Sequence, residues 1–242
     1  MKHSVRARWM SWILLVSVLL LGGCTAAKLQ PEQLGTIRNI GVVTLLPDEI
    51  RYTKIGITVF NNERQSEPIG QAFNEAARRS AEKALQRIPN RRVTLITDGP
   101  ASLAASYYSR SMVMSDSTER IQKELAQLAQ ANGLDAIVVV AEVFDSDQGR
   151  AGIRVFLRAG FGEIRFAALL PDVVLHVVDK SGKVLARDYE QLIALPARRA
   201  GDQPWDYQLD ANLDAATRAK LLADMERAIG QSVAAKVERV GL

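Results

Sequence analysis

Ala136-Ile137-Val138-Val139-Val140-Ala141-Glu142-Val143 is the stretch on which the fold of this chain turns. The run is almost wholly apolar and shows no alternation. Such a segment is a strand buried on both faces, as in the middle of a sheet with a parallel neighbour. Just upstream, Thr118 to Asn132 carries Ile121, Leu125 and Leu128 at helical spacing, and Asn132-Gly133 supplies a left-handed carboxyl cap. Helix, tight turn and buried strand follow one another without a linker.

The pattern extends in both directions. Upstream, Asn39 to Leu46 is a second buried strand. Arg51 to Val59 alternates like a half-buried one, and Pro47-Asp48-Glu49 is expected to turn it back on the first. From about Pro68 to Ile88 the apolar period becomes helical, with Ile69, Phe73, Ala76, Ala77, Ala84 and Leu85 on one face. Arg92 to Thr97 reads as a third strand, and Asp98 to Ser115 as a polar connection. Downstream, short strands are expected at Ile153–Arg158 and Ile164–Leu169. A hairpin is expected from Asp172–Asp179 and Val184–Ile193 about Lys180-Ser181-Gly182-Lys183. From Leu213 or Asp214, Leu222, Met225, Ile229, Val233, Val237 and Val240 form a last helical stripe, which Gly230 weakens by ~1 kcal/mol relative to alanine. The order β-β-α-β-α-β-β-β-β-α predicts an α+β (α/β-like) domain over 39–242, a mixed sheet with helices packed mainly on one face.

Charge and cysteine usage exclude several functions. The 242 residues include 31 basic and 27 acidic ones, a formal net charge of +4. Residues 1–23 hold Lys2, Arg6 and Arg8 and no acid, so the remainder carries 28 basic against 27 acidic residues. A near-neutral body lacks the concentrated basic surface that nucleic acid requires. The single cysteine, Cys24, rules out an internal disulfide and a cysteine-based zinc site. His176 is the only histidine after Cys24, which rules out a multi-histidine metal site. Neither a metal nor a cofactor is expected.

The amino terminus reads as an address. Residues 1–23 are a signal segment: a basic start, then an apolar run from Ile13 to Leu21 broken only by Ser17. Even from Trp9 to Gly23 the stretch has 15 residues, whereas a spanning helix needs about 20. Leu21-Gly22-Gly23-Cys24 resembles the lipobox of bacterial lipoprotein precursors. The resemblance implies that Cys24 is acylated, that Leu21, Gly22 and Gly23 are read by the signal peptidase, and that 24–38 is a lipidated tether. Several acyl chains, at ~0.8 kcal/mol per buried CH₂, make a firm anchor. Residue 25 is Thr rather than the Asp linked to inner-membrane retention, which implies the periplasmic face of the outer membrane.

Three further stretches resemble a group of periplasmic lipoprotein domains that includes the TolB amino-terminal domain, the penicillin-binding-protein activator LpoB and the globular part of the curli channel CsgG. They are Ile40-Gly41-Val42-Val43 leading into the helix at 69–88 and the strand at 93–97, then Leu128 to Ala136 running into Ile137–Val140, and the hairpin Asp179-Lys180-Ser181-Gly182-Lys183-Val184. The resemblance implies a non-enzymatic accessory module that binds another envelope protein. Its channel branch implies the alternative of a homo-oligomeric export component, although no pair of long spanning strands is evident.

Other local candidates resemble ordinary structure. Asp145-Ser146-Asp147-Gln148-Gly149 lacks the EF-hand placement of Gly and Glu, since its twelfth position is Phe156. It reads as a turn. Gly160-Phe161-Gly162 lacks the third glycine of a phosphate loop. These two turns are what a small-ligand site or an unrecognised enzyme would have to use. His176 has no local nucleophile or acid and reads as a structural histidine. The candidate partner contacts are Tyr107, Tyr108, Arg110 and Met112 in one polar loop, and Trp205 and Tyr207 in another. These residue types are enriched at interface cores.

Overall fold

Residues 136–142 do form a strand in which every side chain is buried, and it lies at the centre of a five-stranded sheet. The computed structural model describes residues 28–58, 62–97, 101–108, 114–145, 149–150, 152–159, 164–189, 198–199 and 214–242. In chain order these form α1 (Pro31–Thr36), β1 (Asn39–Leu45), β2 (Glu49–Ile55), β3 (Glu63–Pro68), α2 (Ala72–Leu85), β4 (Arg92–Leu95), α3 (Ala101–Tyr108) and α4 (Met114–Ala131). There follow β5 (Ala136–Glu142), β6 (Phe144–Asp145), β7 (Gly149–Arg150), β8 (Ile153–Ala159), β9 (Ile164–Pro171), β10 (Val173–Asp179), β11 (Val184–Asp188), β12 (Arg198–Arg199) and α5 (Ala215–Arg239). The mixed α+β class and the order of the main elements are those read from the sequence.

The strands divide between two five-stranded sheets, with β6 and β7 forming a separate ribbon. Sheet I has the order β11-β10-β5-β1-β4, with β1 parallel to both β4 and β5, and β10 antiparallel to β5 and β11. Sheet II has the order β12-β9-β8-β2-β3, with β2 parallel to β8. The hairpin expected from β1 and β2 therefore does not form, because the two strands lie in different sheets. The link between them is held open. Buried Asn74 of α2 accepts from Leu46 N (2.9 Å) and donates to Leu46 O (3.0 Å), and Ile69 N donates to Asp48 O (2.8 Å). Asn74→Ala would strand both backbone groups of Leu46. It is expected to cost about 1–3 kcal/mol in chemical denaturation.

Alternation along β1, β5 and β10 builds two cores. Ile40, Val42, Val138, Val140, Leu175 and Val177 face α2 and α5 and share a core with Ile50, Ile153, Val155 and Leu157 of sheet II. Val43, Leu45, Ile137, Val139, Val174 and Val178 face α3 and α4, through Leu103, Tyr107, Leu125 and Ala129. Helices thus cover both faces of sheet I, with the long pair α2 and α5 on one of them. This pair approaches closely at Gly230, whose carbonyl accepts from the Ser80 hydroxyl. Asp214 caps α5 by accepting from Ala216 N and Thr217 N, 2.9 Å each.

Two local features depart from the pattern of periodicity. Residues 98–115, read as a polar connection, contain α3 and the start of α4. β3 is almost wholly exposed, and among the described residues it stands at the edge of its sheet, paired with β2. The stretch 24–38 is not all tether. Leu29 and Ile37 are buried in the larger core, and Leu29 N donates to Val240 O (2.9 Å), so the body includes the chain from Leu29 onward. Among the described residues no helix is long and apolar enough to cross a membrane.

Candidate functional site

Polar chemistry concentrates where the chain passes between the sheets. It crosses at Leu46–Asp48, between β5 and β8, and at Asp172, and the crossings meet around one carboxylate. Glu142, the last residue of β5, is fully buried. Arg51 of β2 grips it with two parallel bonds, Nη1–Oε1 and Nη2–Oε2, each 2.9 Å. Ile153 N, at the start of β8, also donates to Oε1 (2.9 Å). The backbone N–H of Glu142 donates to the Tyr108 hydroxyl (2.9 Å), which itself donates to Leu45 O at the end of β1. One acidic residue thus joins sheet I to two strands of sheet II, and through Tyr108 to α3. Burial alone would weaken the charge of the Arg51 guanidinium. The carboxylates of Glu142 and then Glu49 more than reverse this and raise its pKa.

Backbone bonds tighten the same junction. Val143 N donates to Asp172 O (3.0 Å), and Asp172 N to Gly152 O (3.1 Å). Gly152 is required for space: a Cβ there would lie 2.2 Å from Asp172 O and 2.8 Å from both Glu142 Cγ and Val143 N. Burial pushes the Asp172 carboxyl up to about 6 from an ordinary 3.8. Arg154 and Lys236 oppose the rise, and Glu142 adds to it. A raised carboxyl means the folded state holds the proton more tightly. The resulting penalty is fully present above about pH 6 and is relieved as pH falls towards 4. Asp172→Asn is therefore expected to raise the melting temperature at pH 7, with the advantage shrinking steadily between pH 6 and 4. An equal advantage at both ends of that window would contradict this.

A second charged group fastens α5. Lys236 and Asp188 are both fully buried; Lys236 Nζ lies 3.4 Å from Asp188 Oδ1, and Arg239 Nε 2.6 Å from Oδ2. On the opposite face of sheet I, His176 Nε2 lies 3.1 Å from the Tyr107 hydroxyl. The imidazole stands edge-on to Tyr107 and to Tyr189, with ring centroids 6.2 and 5.2 Å away.

The residues singled out in the sequence are placed as follows. Tyr107 is buried and Tyr108 half-buried, and both turn their hydroxyls into the fold. Asp145 pairs with Gly149 in the β6–β7 ribbon. Leu21, Gly22, Gly23, Cys24, Arg110, Met112, Trp205, Tyr207, Asp147 and Gly160–Gly162 lie outside the described residues. Among the described residues no cluster of three or more His, Cys, Asp or Glu could hold a metal ion. Sequence reasoning missed Arg51, Glu142, Gly152 and Asp172. The available signal was a single acid at the end of an otherwise apolar strand, since a buried charge demands a partner. The arrangement fastens elements together: both oxygens of Glu142 are occupied by donors from Arg51, one also by Ile153 N. No protein-family model and no curated protein matches the chain.

Proposed function

We propose that the protein is a lipoprotein held by acyl chains on Cys24 at the periplasmic face of a bacterial outer membrane, where it acts as a non-catalytic module binding another envelope protein. The observation that carries the reading is the position of Leu21-Gly22-Gly23-Cys24, five residues before Leu29, the first buried residue among those described. A residue that bears lipid has to sit outside the fold on a short link, and the spacing from Cys24 to Leu29 suits one.

The use of the buried charges supports the non-catalytic part. Glu142, Asp188 and Lys236 are engaged in joining sheets and helix, which is structural work. Tyr107 and Tyr108 serve internal bonds, which leaves Arg110, Met112, Trp205 and Tyr207 as the contact candidates. Cys24→Ala is expected to remove the protein from the membrane fraction or to leave its signal segment uncut. Mature-sized protein still in the outer-membrane fraction would overturn the anchor. Trp205→Ala with Tyr207→Ala is expected to strip co-purifying envelope proteins from the lipidated chain. An unchanged set of partners would remove these two residues from the contact.

A further inference from the structure

We propose that the pole of the body around Leu29 lies against the bilayer and that its basic side chains engage anionic phospholipid headgroups, an inference that rests on the Cys24 anchor. Five residue steps separate Cys24 from Leu29, at most about 18 Å of extended chain. Leu29 is not free to swing, being buried and bonded through its N–H to Val240 O. Whatever surrounds Leu29 is therefore kept within reach of the headgroups.

That surround is rich in bases, with Glu32 of α1 and Asp135 the acids among them. Lys28 adjoins Leu29 directly. The Arg91 guanidinium donates through Nη2 to Leu34 O in α1 (2.6 Å), and Arg92 N donates to Arg38 O (2.9 Å), which sets Arg38, Arg91 and Arg92 side by side against α1. Lys28, Arg38 and Arg92 are exposed, and among the described residues none of the three forms an ion pair. The nearby Asp135 turns one carboxylate oxygen onto the backbone N–H groups of Arg38 and Asn39, 2.8 Å each.

The opposite pole differs. Ala219 and Val240 are 21 residues apart along α5, about 32 Å at 1.5 Å per residue. There Arg218 pairs with Glu67 and Lys220 with Asp224. Beside the tether Arg87, Lys236 and Arg239 are likewise paired, with Glu238 and Asp188, so the charge offered to a bilayer there is that of Lys28, Arg38 and Arg92. With a Debye length of about 8 Å at physiological salt, only charges held this near a bilayer act on it.

The test uses the full lipidated chain in vesicles of phosphatidylcholine, with or without phosphatidylglycerol. Since Cys24 is acylated in that form, an introduced cysteine is the sole thiol available for a fluorophore. Gly35→Cys places it in α1, where a Cβ meets nothing within 4 Å, and Ala219→Cys places it at the far pole. With a quencher attached to lipid headgroups, the probe at 35 is expected to be quenched several-fold more than the probe at 219 on vesicles containing phosphatidylglycerol. The difference should shrink at high salt, on phosphatidylcholine alone, and with Arg38→Glu plus Arg92→Glu or the milder Arg38→Gln plus Arg92→Gln. Equal quenching at the two positions, or a difference indifferent to lipid charge, salt and both variant pairs, would overturn the proposal. Flotation separates the two failures. A chain that does not float with vesicles removes the anchor and this inference together, whereas one that floats with equal quenching removes this inference alone.

Discussion

Glu142→Ala is expected to destabilise the folded protein by about 3–5 kcal/mol, the usual cost of removing one partner from a buried ion pair. The substitution leaves the Arg51 guanidinium with the more exposed Glu49 as its remaining counter-charge and deprives Ile153 N of an acceptor. It also opens a void where β5 meets β8. For a body of this size each kcal/mol moves the melting temperature by about 2–4 °C, so a fall of about 6–20 °C should be seen by calorimetry. The double variant Arg51→Met with Glu142→Leu separates charge from geometry. Replacing both members with apolar side chains removes the stranded charge and should recover most of the loss. If Glu142→Ala alone melted within a degree or two of the parent, the carboxylate would not be what joins the sheets.

Gly152→Ala should cost more than about 3 kcal/mol, beyond the usual range for one excess methyl in a packed interior. The reason is what the new carbon would meet. Its nearest neighbours are the Asp172 carbonyl oxygen at 2.2 Å and the Val143 nitrogen at 2.8 Å, both backbone atoms, and these two residues also bond to each other across the junction. A flexible side chain could swing aside, but two bonded backbone segments cannot. Hydrogen exchange should therefore quicken first at Val143 and Asp172, well before the centre of β5. Retained protection at those two amides with normal stability would show that the crossing has room to spare.

How much of this was legible depends on where the information lies along the chain. β5 announced itself because burial on both faces leaves an unbroken apolar run. The β10–β11 turn was equally local: Asp179 Oδ1 accepts from Ser181 N and Lys183 N, and Gly182 adopts φ +82°. The split into two sheets was not legible, since it rests on Asn74 meeting Leu46 and on Arg51 meeting Glu142, 91 residues away. β3 gave no signal because Glu63–Pro68 buries neither face and so has no reason to alternate. Tyr107 and Tyr108 suggested a contact surface because aromatic residues in a polar stretch suit an interface equally well. Their hydroxyls found partners inside at His176 and Leu45, which no local pattern could reveal.

The pairing of α2 with α5 has a consequence for timing. Ser80 and Gly230, which touch in the finished protein, are 150 residues apart. At synthesis rates of about 5–20 residues per second, α2 waits about 8–30 s before its partner exists. Through that interval Phe73, Ala77 and Leu85 lack the cover of Met225, Ile229 and Val233. The nascent chain therefore stays pliable and exposes apolar surface, so it needs shielding from aggregation. Under the export proposed above, the same lateness would keep the chain fit for threading across a membrane.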